Sequence, residues 1–161
     1  MKTGMTQTEH MNNPFTEKHE KRTEELLEKP CWVIDFLPRQ VPAGKGGQYF
    51  SVEAYYRRPQ NLPVLYRKFA DLILKLNCYC DLVINEGISW EENPDPEKLH
   101  RRIIDAESIR FMDILIPSED SLITLSWDDL YMSVYHPSAE LLETVRDLAA
   151  SEGLFVRPAA E

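Results

Sequence analysis

A glycine-rich segment, residues 41–47, raises the question of phosphate binding, because backbone N–H groups and a lysine can together hold an anion. Within it, Lys45 lies between Gly44 and Gly46. A P-loop requires Ser or Thr directly after its Gly-Lys pair at the start of a helix, whereas Gly46 follows the lysine here. The segment therefore favours a flexible connection over a nucleotide site.

Two of the three cysteines could share a metal ion, because Cys78 and Cys80 are separated by one residue and would lie on the same side of a strand. His100 or Cys31 could complete such a site. Structural zinc sites usually combine ligand pairs that are two to four residues apart, a spacing that these residues do not have. We therefore expect small buried side chains with free thiols, and neither a metal nor a cofactor.

His100 is the candidate general base, in a His-Arg-Arg run at residues 100–102 on a predicted helix. Adjacent residues on a helix point in different directions, so the run favours a solvated face. A small hydrolase or transferase is the alternative function if a carboxylate lies beside His100. The carboxylates considered as its partner are Asp35, Glu86 and Asp113.

Asp35 and Asp113 each interrupt a hydrophobic predicted strand. Burying an unpaired carboxylate is very costly, so each side chain must face solvent or find a partner. A sheet that is covered on one side only has an open face, which would accommodate both carboxylates.

Residues 121–136 predict a β-hairpin with Asp128 and Asp129 at its turn. Alternation directs one set of side chains towards the core: Ile123, Leu125, Trp127, Leu130, Met132 and Val134. The outward set is rich in hydroxyl groups: Thr124, Ser126, Tyr131, Ser133 and Tyr135. Tyrosines are enriched where proteins contact partners, although ordinary strand composition also explains the pattern. We predict a binding surface with five residues: Tyr131, Tyr135, Asp113, Ser133 and Asp128.

Four helices and six strands are predicted to position these residues. Three helices follow the N-caps Asn13, Asp95 and Ser138, and a fourth spans residues 62–77, where apolar residues repeat every three or four positions. The predicted strands are residues 31–37, 79–85, 110–116, 121–127, 130–136 and 154–156. Residues 49–56 fit a helix or a strand. Because helices and strands do not alternate strictly, we predict an α+β fold, with a mostly antiparallel sheet covered by helices on one face.

The length of 161 residues suits a single domain, and 43% hydrophobic residues are enough for its core. We expect residues 1–12 to form a disordered tail and residues 13–161 to form the domain. The apolar runs are far shorter than the roughly 18 to 20 residues of a membrane-spanning helix, so no membrane role is expected. The polar N-terminus and the odd number of cysteines predict a cytoplasmic protein.

The net charge of −9 is unevenly distributed along the chain. Residues 39–75 carry seven basic and two acidic side chains, a net of +5, whereas residues 76–161 carry six basic and eighteen acidic ones, a net of −12. The two segments could simply form two solvated faces of the protein. Alternatively, their charges could bind a charged partner or a second copy in a homo-oligomer. The acidic segment argues against nucleic-acid binding, because an RNA-binding sheet would be basic.

Two segments, PCWVIDFLP at residues 30–38 and QYFSVEAYY at residues 48–56, resemble parts of small uncharacterised bacterial proteins. The resemblance implies a bacterial cytosolic origin and no particular activity. No nucleophile–base pair, metal cluster or phosphate loop meets its spacing requirement. We therefore predict a non-catalytic protein that binds a protein partner, immunity-like or regulatory in type.

Overall fold

Helices and strands alternate irregularly along the computed structural model, which describes residues 13–44, 46–85, 87, 89–105 and 111–159. The tail predicted at residues 1–12 lies outside these residues. The helices are α1 (Pro14–Leu27), α2 (Gly46–Tyr56), α3 (Leu62–Asn77), α4 (Pro96–Ile104) and α5 (Ala139–Ser151). The strands are β1 (Cys31–Asp35), β2 (Val83–Asn85), β3 (Trp90–Glu92), β4 (Phe111–Ile116), β5 (Ser121–Ser126), β6 (Tyr131–Tyr135) and β7 (Phe155–Pro158).

The seven strands form one sheet in the order β3-β2-β4-β5-β6-β1-β7, and neighbouring strands are antiparallel. This arrangement confirms the predicted α+β fold. Strand β1 lies between β6 and β7, so the first and the last strand of the described chain are neighbours at one side of the sheet. None of the described helices is long and apolar enough to cross a membrane.

The three predicted N-caps are confirmed. Asn13 Oδ1 accepts a hydrogen bond from Phe15 N at 2.9 Å, and Asp95 Oδ2 accepts one from Lys98 N at 3.1 Å. Ser138 Oγ accepts a third from the third residue of α5 at 3.0 Å. Each bond satisfies a main-chain N–H that has no partner within the first turn of a helix, which explains why the helices begin at these points.

Helices α3, α4 and α5 cover one face of the sheet. On α3 the side chains of Leu65, Phe69, Ile73 and Leu76 are at most 2% exposed, as their spacing of three and four predicted. The strand residues that pack in the same core alternate along the chain: Ile34, Ile84, Met112, Ile114, Ile116, Ile123, Leu125, Met132 and Val134. The predicted inward face of the hairpin is therefore confirmed.

The strand predicted at residues 79–85 is shorter than expected, because the end of α3 continues into it. The main-chain N–H groups of Tyr79 and Cys80 donate to the Leu76 carbonyl at 2.9 and 3.0 Å, so β2 begins only at Val83. Strand β3 was missed, since three residues are too few for a periodic pattern. Residues 49–56 belong to α2.

Helix α1 packs on the other face of the sheet through a mostly polar surface. Its apolar residues Phe15 and Leu27 are 43% and 45% exposed. The buried residues are instead Thr16, His19, Thr23 and Leu26. One leucine and three polar side chains therefore make the contact with the sheet.

Candidate functional site

The face of the sheet opposite helices α3–α5 is covered only in part. Leu26 of α1 packs there against Val83, Leu115 and Leu122. Farther along the strands the side chains are exposed or half-buried. We call this set the open face: Phe111, Asp113, Thr124, Ser126, Tyr131, Ser133, Tyr135, Phe155 and Arg157.

A polar row crosses the open face over three neighbouring strands. Asp113 of β4 lies opposite Thr124 of β5, which lies opposite Ser133 of β6. Opposite residues in antiparallel strands have Cβ atoms about 4.5 to 5.5 Å apart, so these groups can contact one ligand together. Tyr135 of β6 extends this row through hydrogen bonding to Thr124 and Ser133. Burial is the main cause of the raised pKa of Tyr135, and the hydrogen bonding to Thr124 and Ser133 lowers this pKa.

Asp113 is the chemically unusual member of this row. It has no hydrogen bond or ion pair with any residue that the structure describes. Burial raises the pKa of its carboxyl from 3.8 to about 6. At neutral pH the group is therefore a poorly hydrated carboxylate without a counter-ion in the described part of the chain, which is a costly state. Perturbed carboxylates of this kind are concentrated at functional sites.

Asp35, on the same side of the sheet, is a carboxylate whose counter-ion the chain does supply. Arg157 Nη2 of β7 donates to Asp35 Oδ2 at 2.9 Å, and Leu37 N approaches Oδ1 at 3.4 Å. Only 20% of the Arg157 side chain and 10% of the Asp35 side chain are exposed. The sequence predicts that the Asp35 side chain either faces solvent or has a partner. In the structure it has a partner, which is Arg157.

Aromatic side chains form a second row beside the polar one. Phe111, Tyr131 and Phe155 are 45%, 38% and 43% exposed. Tyr131 and Phe155 both lie opposite Asp35, and Phe111 lies opposite Ser126. Exposed aromatic area next to hydrogen-bonding groups is typical of protein–protein interfaces.

Most of the predicted binding residues lie together on the open face: Tyr131, Tyr135, Ser133 and Asp113. Asp128 lies instead in the hairpin loop, where its main-chain carbonyl accepts a hydrogen bond from Arg57 Nη2. Phe111 and Phe155 were missed. Alternation along β4 could have revealed Phe111, which is two residues from Asp113, whereas the pairing of β7 with β1 has no local signal.

The alternative site around His100 lies on the other side of the sheet, in the layer of helices α3–α5. His100 Nε2 is 3.0 Å from Asp71 Oδ1 of α3, a partner that the sequence did not suggest. Glu86 lies outside the described residues. In the described part of the chain, no Ser, Thr or Cys side chain is hydrogen-bonded to His100, so the pair lacks an activated nucleophile there.

The cysteines are free thiols, and their burial differs from the prediction. Cys78 is exposed, because it follows the last turn of α3, whereas Cys31 and Cys80 are half-buried. Among the residues that the structure describes, no group of three His, Cys, Asp or Glu side chains is placed to hold a metal ion.

The glycine-rich segment leads into a helix. Gly44 has a φ of 89°, and α2 begins at Gly46. Lys45 lies outside the described residues.

Comparison with known proteins gives no relative from which a function could be transferred. No protein-family model matches the chain, and no curated protein or solved structure is significantly similar to it.

Proposed function

We propose that the chain is a non-catalytic binding protein, immunity-like or regulatory, that docks a cytoplasmic protein partner on the open face. The observation that carries the proposal is the half-buried carboxylate of Asp113, which has no counter-ion among the described residues. A fold that keeps such a group at a cost in stability gains from it only when a partner completes the site.

The partner is expected to place a lysine or arginine against Asp113. A cation within about 4 to 6 Å favours the ionised carboxylate, and the hydroxyls of Thr124 and Ser133 can satisfy further donors and acceptors of the partner. The aromatic row would contact apolar side chains around this ion pair. The net charge of −12 on residues 76–161 would attract a basic surface at long range and accelerate association.

The test is capture by the immobilised full-length chain from a lysate of its source organism, with mass spectrometry to identify a stoichiometric partner. The double variant Phe111→Ala/Tyr131→Ala should lose the partner, because aromatic residues at interfaces carry much of the binding energy. Tyr79→Ala is the matched control, since Tyr79 is 72% exposed but lies outside the open face.

A partner retained by Phe111→Ala/Tyr131→Ala would refute the open face as the interface. Sedimentation of the purified chain adds a second arm. A concentration-dependent dimer that high salt dissociates would favour the homo-oligomer through residues 39–75 and 76–161 over a different protein as the partner.

A further inference from the structure

A cleft of about 340 Å³ lies between the loop of residues 39–44, the first turns of helix α2 and the start of strand β6. We call it the α2 cleft. Its lining presents apolar surface to solvent, because Phe50 is 64% exposed, Tyr131 is 38% exposed and Pro42 is also exposed. The volume is at the lower end of the roughly 300 to 1,000 Å³ of small-molecule sites. A ligand with a single ring therefore suits the cleft.

The α2 cleft contains one positive charge that the described part of the chain does not balance. Arg157 and Asp35 line the cleft, but their charges cancel in an ion pair with 2.9 Å between Nη2 and Oδ2. Arg39 also lines the cleft, is exposed, and has no ion pair with any described residue. A ligand with a single negative charge would complement this arrangement, whereas a cationic ligand would be repelled by Arg39.

Tyr131 adds a hydrogen-bond donor beside the exposed aromatic surface. Its hydroxyl has no hydrogen bond with a described residue. The hydroxyl of Tyr49, which lines the same cleft, instead donates to Glu53 Oε2 at 3.1 Å. A neutral phenol can donate one hydrogen bond to a carboxylate, and exposed aromatic rings pack well against another ring. The cleft thus combines a cation, a free donor and aromatic surface.

We infer that the α2 cleft binds a small aromatic carboxylate, in which a short chain joins one ring to the acid group. The carboxylate would pair with Arg39 and accept a hydrogen bond from the Tyr131 hydroxyl, while the ring would pack against Phe50. An aliphatic or inorganic anion would leave Phe50 in water, and a neutral aromatic molecule would leave Arg39 unpaired. The cleft shares Tyr131 with the open face, but the inference does not use Asp113 and does not rest on the proposed function.

The probe is 3-phenylpropionate, titrated at neutral pH into the ¹⁵N-labelled full-length protein. Two matched probes divide its chemistry: 3-phenylpropanol keeps the ring without the charge, and propionate keeps the charge without the ring. We expect 3-phenylpropionate to bind one-to-one and to shift the main-chain amide signals of Gly44 and Phe50, which both line the cleft. Propionate at the same concentration should leave these signals unchanged. The alcohol should bind roughly threefold to fivefold more weakly, since partly exposed ion pairs contribute modestly.

Variants of two exposed lining residues separate recognition of the charge from recognition of the ring. Arg39→Gln should weaken 3-phenylpropionate roughly threefold to fivefold and leave 3-phenylpropanol unaffected. The control for net charge is Arg67→Gln, which changes an exposed arginine of α3 outside the cleft. Phe50→Ala should weaken the acid and the alcohol alike, by about threefold or more. Its control is Tyr79→Ala, because Tyr79 is 72% exposed and lies outside the cleft.

Asp113→Asn distinguishes this site from the proposed function, because it should not weaken 3-phenylpropionate even where it abolishes capture of a protein partner. The inference is overturned if 3-phenylpropionate does not bind or binds no more tightly than 3-phenylpropanol. It is also overturned if either Arg39→Gln or Phe50→Ala leaves the affinity for 3-phenylpropionate unchanged.

Discussion

Arg157 and Asp35 join the edge strand β7 to β1, with Arg157 Nη2 donating to Asp35 Oδ2 at 2.9 Å. Both side chains are mostly buried. If either partner were removed, the other would be a desolvated charge without a counter-ion. The pair therefore anchors the last strand of the sheet, whereas Asp113 on the same face has no such partner among the described residues.

Replacing Arg157 by alanine should lower the free energy of unfolding by about 3 to 5 kcal/mol, because it leaves Asp35 buried and unpaired. The double variant Asp35→Asn/Arg157→Ala should recover part of this loss, since it removes the unpaired charge. Urea unfolding followed by circular dichroism measures both values. A loss below about 1 kcal/mol for Arg157→Ala would contradict a buried pair.

Asp113→Asn should stabilise the protein at pH 7 but not at pH 4. The folded-state pKa of about 6 exceeds the ordinary value of 3.8, so the folded state binds this proton more tightly than the unfolded chain. The resulting stabilisation is fully present below pH 3.8 and is lost as the pH rises through 6. We expect the variant to be about 1 to 3 kcal/mol more stable than the wild type above pH 7.

The measurement for Asp113 is the difference in unfolding free energy between the wild type and the variant, taken from pH 4 to pH 8. The comparison cancels the titration of the other carboxylates, which both proteins share. A difference that does not change with pH would show that the carboxyl is hydrated or paired.

His19 should contribute a pH dependence of the opposite sign. Burial, and to a smaller extent Lys18, lowers its pKa below 6.5, while Glu92 acts in the other direction. The folded state therefore favours the neutral imidazole, and its contribution to stability is present above pH 6.5 and lost as the pH falls through the lowered pKa. His19→Gln should reduce the loss of unfolding free energy between pH 7 and pH 5. An unchanged loss would indicate a solvated imidazole.

The two sides of the β5–β6 hairpin should respond differently to truncation. Leu125→Ala or Met132→Ala should cost about 2 to 5 kcal/mol, because each leaves a cavity between the sheet and the helices. Tyr131→Ala should cost much less, because its ring is 38% exposed. Thermal and urea unfolding of the three variants provide the comparison. A larger loss for Tyr131→Ala than for Leu125→Ala would mean that the hairpin register is shifted by one residue.

Local sequence rules predict which face of the sheet many of the open-face residues occupy. The period of two along the predicted hairpin indicated that Tyr131 and Ser133 lie on the side opposite Met132, and the same rule applies to Asp113 on its own strand. The N-cap residues gave the starts of three helices for a similarly local reason. These rules decide which face a residue occupies, and the structure agrees with them here.

Contacts between distant segments were not predictable. Nothing in the sequence near Asp35 indicates that Arg157, which lies 122 residues later along the chain, would provide its counter-ion. Likewise, His100 meets Asp71 only because α3 and α4 pack side by side. Such pairings depend on strand order and helix placement, which periodicity does not determine.

The affinity of the captured partner for the Asp113→Asn variant is the most direct test of the proposed function. If the unpaired carboxylate is kept to bind a cation of the partner, the variant should be more stable than the wild type, yet bind at least about tenfold more weakly. Isothermal titration calorimetry at pH 7 gives both dissociation constants. An affinity equal to that of the wild type, together with the gain in stability, would contradict the role of Asp113 in binding.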